Sequence, residues 1–180
     1  MRPFSFVLVA VALMFAPAAQ AEVAASSASS FVIQTEVEIA ARPADVWRNL
    51  TQVGRWWNPA HTYSGNASNL RLDARAGGCW CERWGNHQSV EHMRVVAVME
   101  TEGVRTLRTI GGLGPLQEMG VSGVMTFTVA PFANGAKLTM TYRVSGDPSL
   151  NLNAIAAPVD SVLMDQIARL RRYSTSGTPD

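Results

Sequence analysis

The sequence predicts an α+β domain: a curved antiparallel sheet wrapped around one long C-terminal helix, with two short helices after the first strand. Three observations lead there. The stretch from 70 to 144 reads as successive strands, with two-residue turn signals at Gly85-Asn86 and Asn134-Gly135. Residues 31–39 alternate apolar and polar side chains. Ile155, Val159, Val162, Leu163, Ile167 and Leu170 recur every three or four residues, the period of an amphipathic helix. A twisted antiparallel sheet with one apolar face needs a cover, and only the terminal helix is large enough. A sheet curved around a helix leaves room between them for a small ligand.

The elements follow in order. Met1 to Ala21 has a charged start at Arg2, an apolar run from Phe4 to Phe15 and a small-residue Ala19-Gln20-Ala21 site. That pattern is a cleavable export signal, too short to span a membrane comfortably. Residues 22–30 are small and polar and read as a flexible lead-in. Phe31, Ile33, Thr35, Val37 and Ile39 form one face of the first strand. Pro43 starts a helix, where no N–H is needed, and Val46, Trp47 and Leu50 follow at helical spacing. A second short helical turn covers Val53 to Trp57. Strands are expected at 70–74, 79–84, 89–99, 104–110, 121–129 and 137–144. The terminal helix carries Pro158 near its start or at a kink. The domain thus spans 31–173, with a disordered tail at 174–180.

Charge excludes some partners. Without Arg2 the chain has 14 basic and 14 acidic residues, a formal charge of zero. Nucleic acid and anionic membranes call for an excess of positive charge on one face. No segment after the signal is long and apolar enough for a stable membrane span. The expected partner is a small apolar or amphipathic molecule. No cofactor is expected, and the sequence leaves the oligomeric state open.

The chemistry concentrates in residues 77–93, which hold both cysteines, Glu82, Glu91, His87 and His92. A two-residue turn at Gly85-Asn86 sets Trp84 opposite His87, Glu82 opposite Ser89, Trp80 opposite Glu91 and Cys79 opposite His92. Trp80, Glu82, Trp84, Glu91, Met93 and Val95 then share the face with the apolar continuation, which is assigned to the cavity. A one-residue slip would reverse these faces. Two nearby carboxylates under apolar cover raise the pKa of one of them, which suits Glu82 or Glu91 as a general base, with His61 as partner. The alternative is that each carboxylate pairs with an arginine or caps a loop amide. Cys79, Cys81 and His92 fall on the opposite face. Three states fit them: free thiols, a disulfide, or a soft-metal site with His61 arriving from the preceding loop. Residues i and i+2 of a strand lie about 6.5 Å apart, the outer limit for a disulfide unless the strand bends. Trp57, His61 and Tyr63 suit a half-wet cavity rim. Met119, Met125, Phe127, Met140 and Tyr142 are assigned to the sheet interior, and Leu163 to the covering helix.

Several phrases carry a family resemblance. They are Arg-Pro-Ala-Asp-Val-Trp-Arg-Asn-Leu (42–50), Trp56-Trp57, Ala-Gly-Gly-Cys-Trp-Cys-Glu (76–82) and Val-Glu-His-Met-Arg-Val-Val (90–96). Gly-Pro-Leu-Gln (114–117) and Asp-Gln-Ile-Ala-Arg-Leu-Arg-Arg-Tyr (165–173) join them. In these the chain resembles the SRPBCC superfamily, whose helix-grip fold is shared by START lipid-transfer domains, plant pollen-allergen proteins and polyketide cyclases. The subgroup it resembles comprises bacterial polyketide cyclase/dehydrase-like and heat-shock ATPase activator-like proteins. The resemblance implies a cavity, with lipids, steroids or polyketides as the family's ligands. It does not extend to nucleotide chemistry, because the chain lacks a Gly-x-x-x-x-Gly-Lys-Ser/Thr phosphate loop.

Three functions are therefore expected, in this order. The first is an exported, periplasmic or secreted, protein that binds a small molecule. The second is a cyclase, dehydratase or isomerase using Glu82 or Glu91. The third is a metal or redox site at Cys79 and Cys81. Export predicts a mature N-terminus near Glu22. N-terminal sequencing of the exported protein checks this; retention of Met1 defeats it.

Overall fold

A computed structural model describes residues 22–180; the expected export signal at 1–21 lies outside them. Eight antiparallel strands form one sheet: β1 (Glu22–Ser27), β2 (Ser30–Ile39), β3 (Leu70–Leu72), β4 (Cys79–Trp84), β5 (Gln88–Thr101), β6 (Val104–Ile110), β7 (Ser122–Phe132) and β8 (Gly135–Ser145). Their order is β1-β2-β8-β7-β6-β5-β4-β3. All neighbours are consecutive in sequence except β2 and β8. Helix α1 (Pro43–Thr51) follows β2, and α2 (Leu152–Ser176) ends the fold.

The expected alternation is visible in the core. Phe31, Ile33, Thr35, Val37 and Ile39 of β2 are all buried, and Met125 and Phe127 of β7 and Leu138, Met140 and Tyr142 of β8 belong to the same core. Helix α1 starts at Pro43, buries Val46 and Leu50 one turn apart, and places Asp45 between Arg42 and Arg48. Helix α2 buries Leu163, Ile167 and Leu170 against the sheet. Pro158 sits inside this helix without ending it. It removes one backbone donor, which exposed position 158 tolerates better than a buried one would.

Two terminal expectations are corrected. Residues 22–30 are no flexible lead-in: β1 pairs with β2 from Glu22↔Gln34 to Ser27↔Ser30. Small polar side chains give no pattern, but an edge strand is held by its backbone ladder. The tail at 174–180 is also engaged. Helix α2 runs to Ser176, Arg169 pairs with Asp180 at 2.6 Å, and Arg172 Nε donates to the Pro179 carbonyl at 2.7 Å.

The β4–β5 hairpin departs from the expected register. The turn contains three residues, Gly85 to His87, so Trp84 pairs with Gln88 and Cys81 with Glu91. Trp80 then pairs with Met93, which leaves His92 as the extra residue of a β-bulge. The slip turns Glu91 outward. The bulge brings the following residues back, so His92 and Met93 are consecutive and both buried. A second irregularity between Val95 and Ala97 takes Ala97 and Met99 off the face of Met93 and Val95, and Met99 is exposed.

One close approach depends on a missing side chain. A Cβ at Gly123 of β7 would lie 2.2 Å from the Gly111 carbonyl oxygen and 2.9 Å from the Tyr142 hydroxyl. That hydroxyl donates to the Gly111 carbonyl at 3.1 Å and accepts from the Leu113 amide at 3.3 Å, so it holds the start of the 111–119 loop. Gly123→Ala should push this loop off the sheet, at a cost of about 1–3 kcal/mol. A melting temperature several degrees below the parent is the expected readout; an unchanged one contradicts the packing.

Candidate functional site

The segment after α1 builds one wall of a cavity. Trp56 and Trp57 are both buried, and each indole N–H is spent on backbone: Trp56 on the Asn49 carbonyl and Trp57 on that of His61, both at 2.9 Å. Helix α2 clamps this segment. Gln166 Oε1 accepts from the Asn58 amide at 2.8 Å, Asp165 accepts from the Asn58 side chain at 2.7 Å, and Arg169 donates to the Trp56 carbonyl at 2.9 Å.

Between α2, this segment, the sheet and the 113–119 loop lies a cavity of about 570 Å³. Trp57, His61 and Tyr63 contribute one wall, and Leu70, Trp80 and His92 the sheet side. Leu113, Leu116 and Met119 close the loop side, and Ile155, Val159, Val162 and Leu163 the helix side. Trp57 and Trp80 meet edge to face, with ring centroids 5.1 Å apart. The Tyr63 ring lies 5.8 Å from that of His92.

Glu82 is the most heavily constrained group of the site. It is 0 % exposed, yet its carboxylate accepts three bonds. The Ser64 amide donates at 2.6 Å, the Tyr63 amide at 3.0 Å, and His92 Nε2 lies at 3.1 Å. Burial pushes its pKa up, but the bonds from Ser64, Tyr63 and His92 outweigh burial and hold it below the ordinary value. His92, 6 % exposed, is also shifted down: burial outweighs the opposing attraction of Glu82. The resting pair is therefore an ionised Glu82 beneath a neutral His92.

The assigned site residues separate into groups. Trp57, His61, Tyr63, Trp80, Met119 and Leu163 surround the cavity. Met93, Met125, Phe127, Met140 and Tyr142 are buried in the core and do not border it. Trp84 is half-buried at the hairpin end, also away from the cavity. Glu91 is corrected: it lies outside, paired with Arg94, and cannot share a proton with Glu82. His61 lies at the exposed rim, and its imidazole makes no bond to Glu82. The partner of Glu82 is His92, which the slipped register hid on the wrong face.

The cysteines form a disulfide, Cys79–Cys81, with Cα atoms 5.4 Å apart. The bulge beside Trp80 and Cys81 supplies the bend that a flat strand lacks. The expected Cys79, Cys81 and His92 grouping does not form, because His92 faces inward. Glu91 takes its place beside the sulfurs, with possible ligand atoms within 4.8 Å of one another. Oxidised sulfurs are poor metal ligands, since the thiolate is the binding form.

No protein-family model and no curated protein matches the chain. Solved structures do. The conserved protein EF2215 of Enterococcus faecalis aligns over 88 % of this chain and 78 % of its own, with a TM-score of 0.56 and 13 % identity. CalU16 of Micromonospora echinospora aligns over 84 % and 78 %, with a TM-score of 0.52 and 13 % identity. DynU16, from the dynemicin biosynthetic locus, aligns over 82 % of this chain but 48 % of its own, with a TM-score of 0.55 and 20 % identity. The chain has the helix-grip fold. At these identities the likeness concerns the fold alone.

The helix-grip site makes stability sensitive to acid. Both Glu82 and His92 have folded pKa values below their unfolded ones, so the unfolded chain binds more protons as pH falls. Stability is full above an unfolded histidine pKa of about 6.5. It is lost first as pH falls from there through the folded pKa of His92. It is lost further below about pH 4.3, where unfolded glutamate protonates. The melting temperature should track these steps. Glu82→Gln breaks the buried cluster and should cost roughly 3 kcal/mol at neutral pH, and it should flatten the acid dependence. A variant as stable as the parent, with the same pH profile, removes Glu82 from this role.

Proposed function

We propose that this protein binds a small apolar or amphipathic molecule in the cavity between sheet and α2, and that it works outside the cytoplasm. One observation carries the binding reading: an apolar, aromatic-walled cavity of about 570 Å³, within the usual range for small-molecule sites. Two observations support export. Residues 1–21 carry the charged start, apolar run and small-residue site of a cleavable signal. The Cys79–Cys81 disulfide suits an oxidising compartment. Among the described residues no helix is long and apolar enough to cross a membrane. The subgroup resemblance to polyketide cyclase-like proteins belongs to the same proposal.

A second reading, an enzyme of the cyclase, dehydratase or isomerase type, is favoured by one feature. His92 borders the cavity while Glu82 holds its far nitrogen, an arrangement that orients an imidazole for proton transfer. In this reading His92 meets the substrate and Glu82 positions it.

The neutral fluorophore N-phenyl-1-naphthylamine tests the binding reading. Its emission should rise on mixing with the purified mature protein. Val159→Trp fills the cavity from a half-buried position and should weaken binding roughly tenfold, a loss of about 1.4 kcal/mol, with the melting temperature nearly unchanged. Equal binding by parent and variant places the probe elsewhere and defeats the reading.

A further inference from the structure

We propose that His92 makes the cavity selective for neutral ligands that present a hydroxyl donor on a planar apolar body, and that it rejects carboxylates. This rests on the binding reading and names the ligand class. An ionised carboxylate can only accept hydrogen bonds. Glu82 already takes the Tyr63 and Ser64 amides, so its contact with His92 Nε2 at 3.1 Å requires a proton on Nε2. A neutral imidazole with Nε2 protonated carries a lone pair on Nδ1. Glu82 thus fixes the tautomer.

Nδ1 has no hydrogen-bond partner among the described residues. Among the described residues the polar side-chain atoms both sealed from solvent and unpaired are Thr35 Oγ1 and Asp160 Oδ1, so Nδ1 is not sealed. His92 borders the cavity, and we place its unsealed Nδ1 on that side. Most neighbouring donors are already committed, and His61 and Glu118 lie on the lining at its exposed mouth. The Tyr63 hydroxyl donates to the Gly114 carbonyl at 3.2 Å, the Thr62 hydroxyl to that of Pro59 at 2.8 Å, and the Trp57 indole to that of His61. The inner wall thus offers an acceptor beside aromatic faces, which fits a flat ring bearing a hydroxyl.

Selectivity follows from what the alternatives leave behind. A ligand without a donor strips water from Nδ1 and returns nothing, which disfavours it. A carboxylate brings an acceptor to an acceptor and a negative charge toward buried Glu82, where low polarity strengthens repulsion. Protonating His92 would relieve that clash, but its burial opposes the charge.

Three probes of similar size test this on the unmodified protein: 2-naphthol, 2-methoxynaphthalene and 2-naphthoate, followed by quenching of the tryptophans at pH 7.5. Expected is 2-naphthol binding about tenfold tighter than the methyl ether, the equivalent of one net hydrogen bond. Naphthoate should bind most weakly. His92→Phe should erase the preference for naphthol over its ether while retaining the ether. Nitrogen-15 NMR of the parent should show an Nε2–H tautomer whose Nδ1 resonance moves with naphthol and not with the ether. Equal affinities for naphthol and its ether, tighter binding of naphthoate, or an Nδ1–H tautomer each overturn the inference. Failure of all three probes, with the neutral fluorophore also unbound, overturns the binding reading itself. Failure of the three with the fluorophore bound overturns only the hydroxyl selectivity.

Discussion

The site depends on one buried charge. Placing a carboxylate in an apolar interior is costly unless hydrogen bonds replace its lost water. Glu82 has three, and they come from two places in the chain: the backbone at 63–64 and the side chain at 92. The carboxylate therefore joins strand β4, strand β5 and the segment that rims the cavity. Removing the charge would free two backbone amides and an imidazole together. The cost of burial ties the geometry to these three bonds, since losing any of them leaves the buried charge less well compensated.

Most of the fold was legible because its driving force is periodic. Alternation at 31–39 and 121–144 and the three-to-four spacing at 155–170 each mark a face that must be buried. Trp57 and Tyr63 were legible as cavity residues from their place in the connection after the first helix, and Trp80 from the alternation of its strand; all three line the cavity. What was not legible was the count of residues in one turn. Gly85-Asn86 suggests a two-residue loop, but His87 joins it, and every pair beyond shifts by one. The bulge at His92 then corrects the shift for Met93 and Val95 and leaves Glu91 outside. Two small irregularities thus exchanged the partner of Glu82 from a second carboxylate to a histidine. Alternation alone cannot show this, since a bulge is an interruption of the period. Strand β1 escaped for a different reason: its ladder uses backbone groups that every residue carries.

The pleat of β4 divides the hairpin into two chemistries. Cys79 and Cys81 point outward, where they meet Glu91 and Arg94, while Trp80 and Glu82 point into the domain. The covalent staple thus lies directly behind the cavity wall rather than in it. It fixes the local bend without spending any of the interior surface, and the side chains that border the cavity remain free of sulfur chemistry. A metal or redox role would act from this outer face, separated from the ligand by the thickness of a single strand.

The pairing of β2 with β8 has a kinetic consequence. Residues 30–39 lie against 136–145, so the seam that joins the first hairpin to the rest of the sheet closes over a loop of roughly a hundred residues. Folding slows as such distant contacts come to dominate. Six strands can begin to zip locally as they emerge, but the N-terminal hairpin must wait for nearly the whole chain. A polypeptide built this way completes its sheet last at the β2–β8 seam, once residues 136–145 are available to the N-terminal hairpin.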